Sequence, residues 1–104
     1  MTAQQDLGWG SRAMEMDIAF TEFHAENPEV WQLFQRFTFE VIRRGFKQYS
    51  ARAVAHRIRW EAHVREGRSD FKLNNNHVRR YALMFMRRNP QHVGIFRTRK
   101  PKED

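Results

Sequence analysis

Apolar residues recur along this chain at intervals of three and four, interrupted at a few sharp points, and this pattern predicts helices. Met14, Ile18, Thr21 and Ala25 form one stripe, with Phe20 and Phe23 beside it, and Ser11 is placed to cap that first helix. Asn27-Pro28-Glu29 then reads as a fresh start: Asn caps, Pro takes the first helical position, and Glu meets the positive end of the dipole. Val30, Leu33, Phe34, Phe37 and Val41 follow at helical spacing, and Trp31, Thr38 and Ile42 widen the apolar face. A face that wide predicts the central helix of the core, closed at Gly45 behind Arg43 and Arg44.

Phe46 to Tyr49 is too short to assign and is read as extended. Ser50 caps a third helix over 51–65, with Ala51, Val54, Ala55, Ile58 and Ala62 inward. Ala53, Trp60 and Val64 make a second apolar edge, which assigns Trp60 to the core ahead of a base-stacking role. Arg52, His56, Arg59 and His63 share the remaining face. Gly67 ends this helix, and a loop carries Phe71-Lys72-Leu73. One of Asn74, Asn75 and Asn76 caps a fourth helix over 76–88, whose inner face is Val78, Tyr81, Ala82 and Phe85. Pro90 stops it. Val93 to Lys100 then reads as a short strand with alternating Arg97 and Arg99. The expected fold is mostly α: four helices with a short C-terminal β-hairpin, in the order of a winged helix-turn-helix. The third-to-fourth connection is longer than the three- or four-residue turn of a simple helix-turn-helix. Residues 1–10 are expected as a flexible arm, 11–100 as one helical domain, and 101–104 as a polar tail.

Composition changes this picture in one respect. Hydrophobic residues at 40% and aromatics at 13% suffice for a core in 104 residues. With no cysteine, disulfides and thiolate metal sites are excluded. No apolar run reaches the roughly 18 residues of a membrane span, and no secretory signal opens the chain. The formal charge of +7 is unevenly placed. Residues 1–30 hold one base against six acids, whereas residues 31–104 hold eighteen bases against six acids. An acidic front on an Arg-rich body points to a polyanionic partner, nucleic acid first. It also raises the expectation that the acidic first helix folds over the basic face and competes with that partner.

The chain also resembles a family of small uncharacterised proteins encoded by tailed phages and prophages. The resemblance rests on Phe23-His24, Asn27-Pro28-Glu29-Val30, Arg44-Gly45, Arg59-Trp60-Glu61, Phe71-Lys72-Leu73-Asn74-Asn75, Tyr81-Ala82, Pro90, and Phe96 with Arg99. It spans about residues 20–100. Members often carry Arg after the Tyr-Ala pair, where this chain has Leu83. The resemblance implies a phage protein acting in the host cytoplasm and implies no particular activity.

The leading candidate site is the fourth helix with the loop before it: Lys72, Asn75, Asn76, Arg79, Arg80 and Arg87. Asn and Arg read adenine and guanine through paired hydrogen bonds, and a recognition helix presents its N-terminal residues to bases. The plain alternative is three asparagines as cap and turn beside solvated arginines. Arg52 and Arg59, on the stripe with His56 and His63, are candidates to lie along a phosphate backbone. Arg97 and Arg99 are candidates to grip phosphate as a wing. Enzymatic readings lack a convergent set of groups. Asp70-Phe71-Lys72 has the D-x-K look of some nuclease sites but none of the strands. His56 and His63 lie about 10 Å apart along a helix, too far to chelate one metal. The expectation is a non-catalytic protein that binds nucleic acid, foremost duplex DNA, as monomer or homodimer, without cofactor, metal or membrane. The alternative is an effector that binds a host protein such as a nuclease or defence complex. A packaging-associated role is a third option that nothing in the chain selects.

Overall fold

The computed structural model describes residues 7–97 of the chain. Its elements are α1 (Leu7–Glu26), α2 (Pro28–Arg43), α3 (Ala51–Trp60, continued by a π-helical turn over Glu61–Arg65) and α4 (Asn75–Arg88), followed by a 3₁₀ turn at Pro90–His92. The protein is mostly helical. No helix among the described residues is long and apolar enough to cross a membrane.

Local chemistry explains most boundaries. α2 ends in a Schellman turn. The amide of Gly45 donates to Ile42 O at 2.9 Å and that of Phe46 to Val41 O at 3.2 Å. This turn needs the left-handed φ of +97° that Gly45 adopts without a Cβ penalty. Ser50 Oγ accepts from the Ala53 amide at 3.2 Å and caps α3. Of the three asparagines, Asn74 is the cap of α4, its Oδ1 accepting from the His77 amide at 2.9 Å. Asn27 precedes α2 but does not cap it with its side chain. Its Nδ2 donates backwards to Phe23 O at 3.0 Å, so it closes α1 instead.

The core gathers on Tyr81, which is fully buried on α4. Trp31 and Phe34 of α2 stack against its ring at 5.7 and 5.9 Å between centroids. Phe20 of α1 meets it edge-on at 4.9 Å. The Tyr81 hydroxyl shares a 3.0 Å hydrogen bond with His24 Nδ1. Burial, reinforced by the negative charge of Glu29, holds this phenol well above its usual pKa, so it stays protonated. Val54, Ala55, Ile58 and Ala62 seat α3 in the same core. Phe71 and Leu73 fold in from the loop with Lys72 pointing out between them.

Three expectations change. The helix expected from Ser11 begins at Leu7, so Ser11 is no cap and residues 7–10 are helical. Gly8 and Gly10 weaken a helix by about 1 kcal/mol each relative to Ala, which does not forbid one. The face of α1 is also turned. Met14 and Ile18 are 61% and 54% exposed, while Phe20 and Phe23 pack on the core. Aromatic area against Tyr81 and His77 outweighs the thinner aliphatic stripe. Finally Trp60, assigned to the core, is 51% exposed, and Val64 beside it 59%. The core-facing arc of α3 is filled by Val54, Ala55, Ile58 and Ala62, which leaves the second apolar edge in solvent.

At the C-terminal end, Tyr49 and Phe96 form a single parallel bridge, with the Tyr49 amide donating to Ile95 O at 2.8 Å. Among the described residues there is no hairpin. Arg99, Lys100 and the tail at 101–104 lie outside them, as do residues 1–6 of the expected arm.

His77 is 6% exposed and stacks on Phe23 at 4.7 Å, and its Nδ1 has no hydrogen-bond partner among the described residues. Burial, then the positive charge of Arg80, lowers its pKa from the ordinary 6.5. The unfolded chain therefore binds more protons than the folded one below pH 6.5, and stability falls as pH drops through that window. His77→Phe should flatten this part of the stability–pH curve in urea titrations between pH 7 and pH 5. For the ring cluster, Tyr81→Phe should cost about 1 kcal/mol, the worth of one hydrogen bond. Phe34→Ala should cost about 3–5 kcal/mol. Equal losses for these two would show that the stacked rings do not dominate the core.

Candidate nucleic-acid interface

The N-terminal ends of α3 and α4 lie side by side, with Arg97, just past the Tyr49–Phe96 bridge, beside them. Together they bound an open groove of about 650 Å³. Tyr49, Ser50, Ala51 and Arg52 form one wall, Asn75, Asn76 and Arg79 the other, and Val78 and Ala82 line it deeper, with Arg97 closing the set. Five of the ten residues singled out from the sequence therefore come together: Arg52, Asn75, Asn76, Arg79 and Arg97.

Among the described residues no carboxylate lines this groove. None of its three arginines has an acidic partner within 4 Å among the described residues. The arginines that do are elsewhere. Arg57 pairs with Glu40 and lies 3.9 Å from the Phe37 ring centroid, which lowers the Glu40 pKa chiefly through the hydrogen bond. Arg65 pairs with Glu61, and Arg68 with Glu29 and Glu66. Among the described residues the groove thus keeps unpaired positive charge beside two helix N-termini, whose dipoles also favour anions.

The other five candidates are not at the groove or lie outside the described residues. Arg80 points the opposite way around α4 and pairs with Asp17 of α1, its guanidinium 5.9 Å from the Phe20 ring centroid. Arg59 donates to Leu73 O and lies 3.4 Å from His56 Nδ1. Glu66 pairs with Arg68 and not with Arg59. His63 Nε2 bonds Phe71 O at 2.8 Å. Half of the Arg52–His56–Arg59–His63 stripe therefore holds the backbone of the 71–73 loop. Lys72 and Arg87 are exposed away from the groove, and Arg99 is not among the described residues. Tyr49 and Ser50 were missed as lining residues. The signal was present in the cap itself, since Ser50 at the N-cap places Arg52 in the first turn.

The acidic front is accounted for in part. Beside α4, Glu15, Met16 and Ala19 of α1 line a small cavity of about 210 Å³ with Asn74, Asn76 and His77. The first helix thus flanks the far side of the α4 N-terminus and neutralises Arg80, leaving the groove open. Among the described residues no three His, Asp or Glu side chains lie where they could hold one metal ion. Asp70 and Lys72 of the D-x-K triplet are exposed on a loop around buried Phe71.

No family model, no curated protein and no solved structure matches this chain.

Arg59→Ala should lower stability by about 1.5–3 kcal/mol, the range for a hydrogen bond from a charged donor. It should also speed amide exchange in 71–74, where Phe71 and Leu73 anchor the loop. Unchanged exchange there would return Arg59 to the set of free surface cations.

Proposed function

We propose that this protein binds nucleic acid without catalysis, gripping the phosphate backbone in the groove between the N-termini of α3 and α4. The observation that carries the reading is a groove that brings three arginines and two asparagines together with no carboxylate among the described residues, while the acids that pair with Arg57, Arg65, Arg68 and Arg80 lie elsewhere. Arg52, Arg79 and Arg97 hold phosphates. Asn75 and Asn76, at the start of α4, are the groups best placed to reach base edges. Arg80, bound to Asp17, leaves the set of base readers and becomes the link through which acidic α1 tempers binding. Duplex DNA fits a winged-helix-like arrangement in which α4 is the recognition helix and the short segment ending at Arg97 takes the place of a wing. The resemblance to phage proteins supports a host cytoplasm as the setting of this activity.

A second reading, an effector that binds a host protein, is favoured by the exposed Met14–Ile18 stripe on α1, flanked by Glu15, Asp17 and Glu22. Retention of a host protein on the immobilised chain after nuclease treatment, lost on Ile18→Glu, would support that reading.

Fluorescence anisotropy with labelled duplex DNA across a salt series tests the main proposal. Log affinity should fall steeply with log salt, with a slope set by the phosphates neutralised. Arg79→Ala should weaken all sequences alike and reduce the slope by about 1. Asp17→Asn, which releases Arg80, should strengthen binding and steepen the slope. Removing residues 1–26 is a poorer test than this substitution, because it also takes Phe20, Phe23 and His24 out of the core. Absence of binding at low salt would overturn the proposal.

A further inference from the structure

Trp60 is a large ring left half in solvent on a helix whose core-facing side is otherwise fully used. Its neighbours one turn away are His56, Arg57, His63 and Val64. None is acidic, and Arg57 is already matched by Glu40. Two turns toward the N-terminus, and about 80° around the helix axis from Trp60 at 3.6 residues per turn, stands Arg52 in the groove wall. The rise of a helix separates the two residues by about 12 Å, with His56 between them. One continuous strip of α3 thus begins in an anion-binding groove and ends on an aromatic face.

A polyanion drawn into the groove and continued along this strip arrives at an indole. In a duplex the base faces are covered by stacking, so only a strand with unpaired bases can use the ring as well as the charge. Every base has a π-face, which makes such a platform tolerant of sequence. We infer that α3 tracks a single strand, with phosphate held at Arg52 and an unpaired base stacked on Trp60. This rests on the nucleic-acid reading above and adds a ligand to the duplex held in the groove: single-stranded nucleic acid, or the unpaired extension of a duplex.

The test is anisotropy with a fluorescein-labelled dT20 strand and a blunt duplex of equal length, using the full chain, Trp60→Ala, Trp60→Phe and Arg79→Ala. Trp60 is outside the core, so the thermal midpoint of Trp60→Ala should match that of the parent. Trp60→Ala should bind dT20 about tenfold more weakly, in line with the loss of one stacked base, and bind the duplex as before. Trp60→Phe should recover most of the dT20 affinity. Arg79→Ala should weaken both ligands. If Trp60→Ala leaves dT20 affinity unchanged, or weakens both ligands equally, the stacking assignment is overturned while the groove stands. If the parent binds neither ligand, both readings fall, and Trp60 becomes an anchor for a protein.

Discussion

Tyr81 is the residue on which the arrangement of helices depends. Its ring is enclosed by Phe20 and His24 from α1 and by Trp31 and Phe34 from α2, and it belongs to α4. Three of the four helices therefore meet on one side chain. Because residues 78, 81, 82 and 85 all face this cluster, the rotation of α4 about its axis is set. Asn75, Asn76 and Arg79 then fall on the side toward α3, and Arg80 on the side toward α1. Two adjacent arginines acquire opposite surroundings for a purely geometric reason.

The same geometry sorts the charge. Acidic side chains contact arginines at the α1–α4 seam through Asp17, at the α1–α2 junction through Glu29, and on the α2–α3 flank through Glu40. Each contact is partly exposed and contributes little stability by itself. Their effect is on distribution: Asp17, Glu29 and Glu40 are taken up at these seams, and among the described residues the mouth between α3 and α4 holds no acid. A net charge alone does not make a site, whereas the segregation of like charge into a concave surface does.

How much of this was legible in the sequence depends on the range of the interactions involved. The limits of α2, α3 and α4 were legible because Pro28, Gly45, Ser50 and Asn74 act on their immediate neighbours. The inner faces of those helices were legible because each carries one dominant apolar arc. α1 offered two arcs of comparable weight, and only Tyr81 and His77, far along the chain, decide between them. Trp60 was misassigned because periodicity marks an apolar edge without showing whether a partner covers it. Among site residues, Arg52, Asn75, Asn76 and Arg79 converge because they sit in first turns of adjacent helices, which caps announce. Arg59 and Arg80 could not be excluded from sequence, since Leu73 O and Asp17 become neighbours only after folding.

The bond from the Tyr49 amide to Ile95 O has a consequence for the order of events during folding. It joins two segments separated by all of α3, the loop and α4. Such a closure is entropically costly until the intervening helices have docked. Arg97 lies just past this clasp, so the third cation reaches the groove only when the chain has closed on itself. The groove is thus completed only by this closure, and a chain caught before that step carries the charges without the concavity that concentrates them.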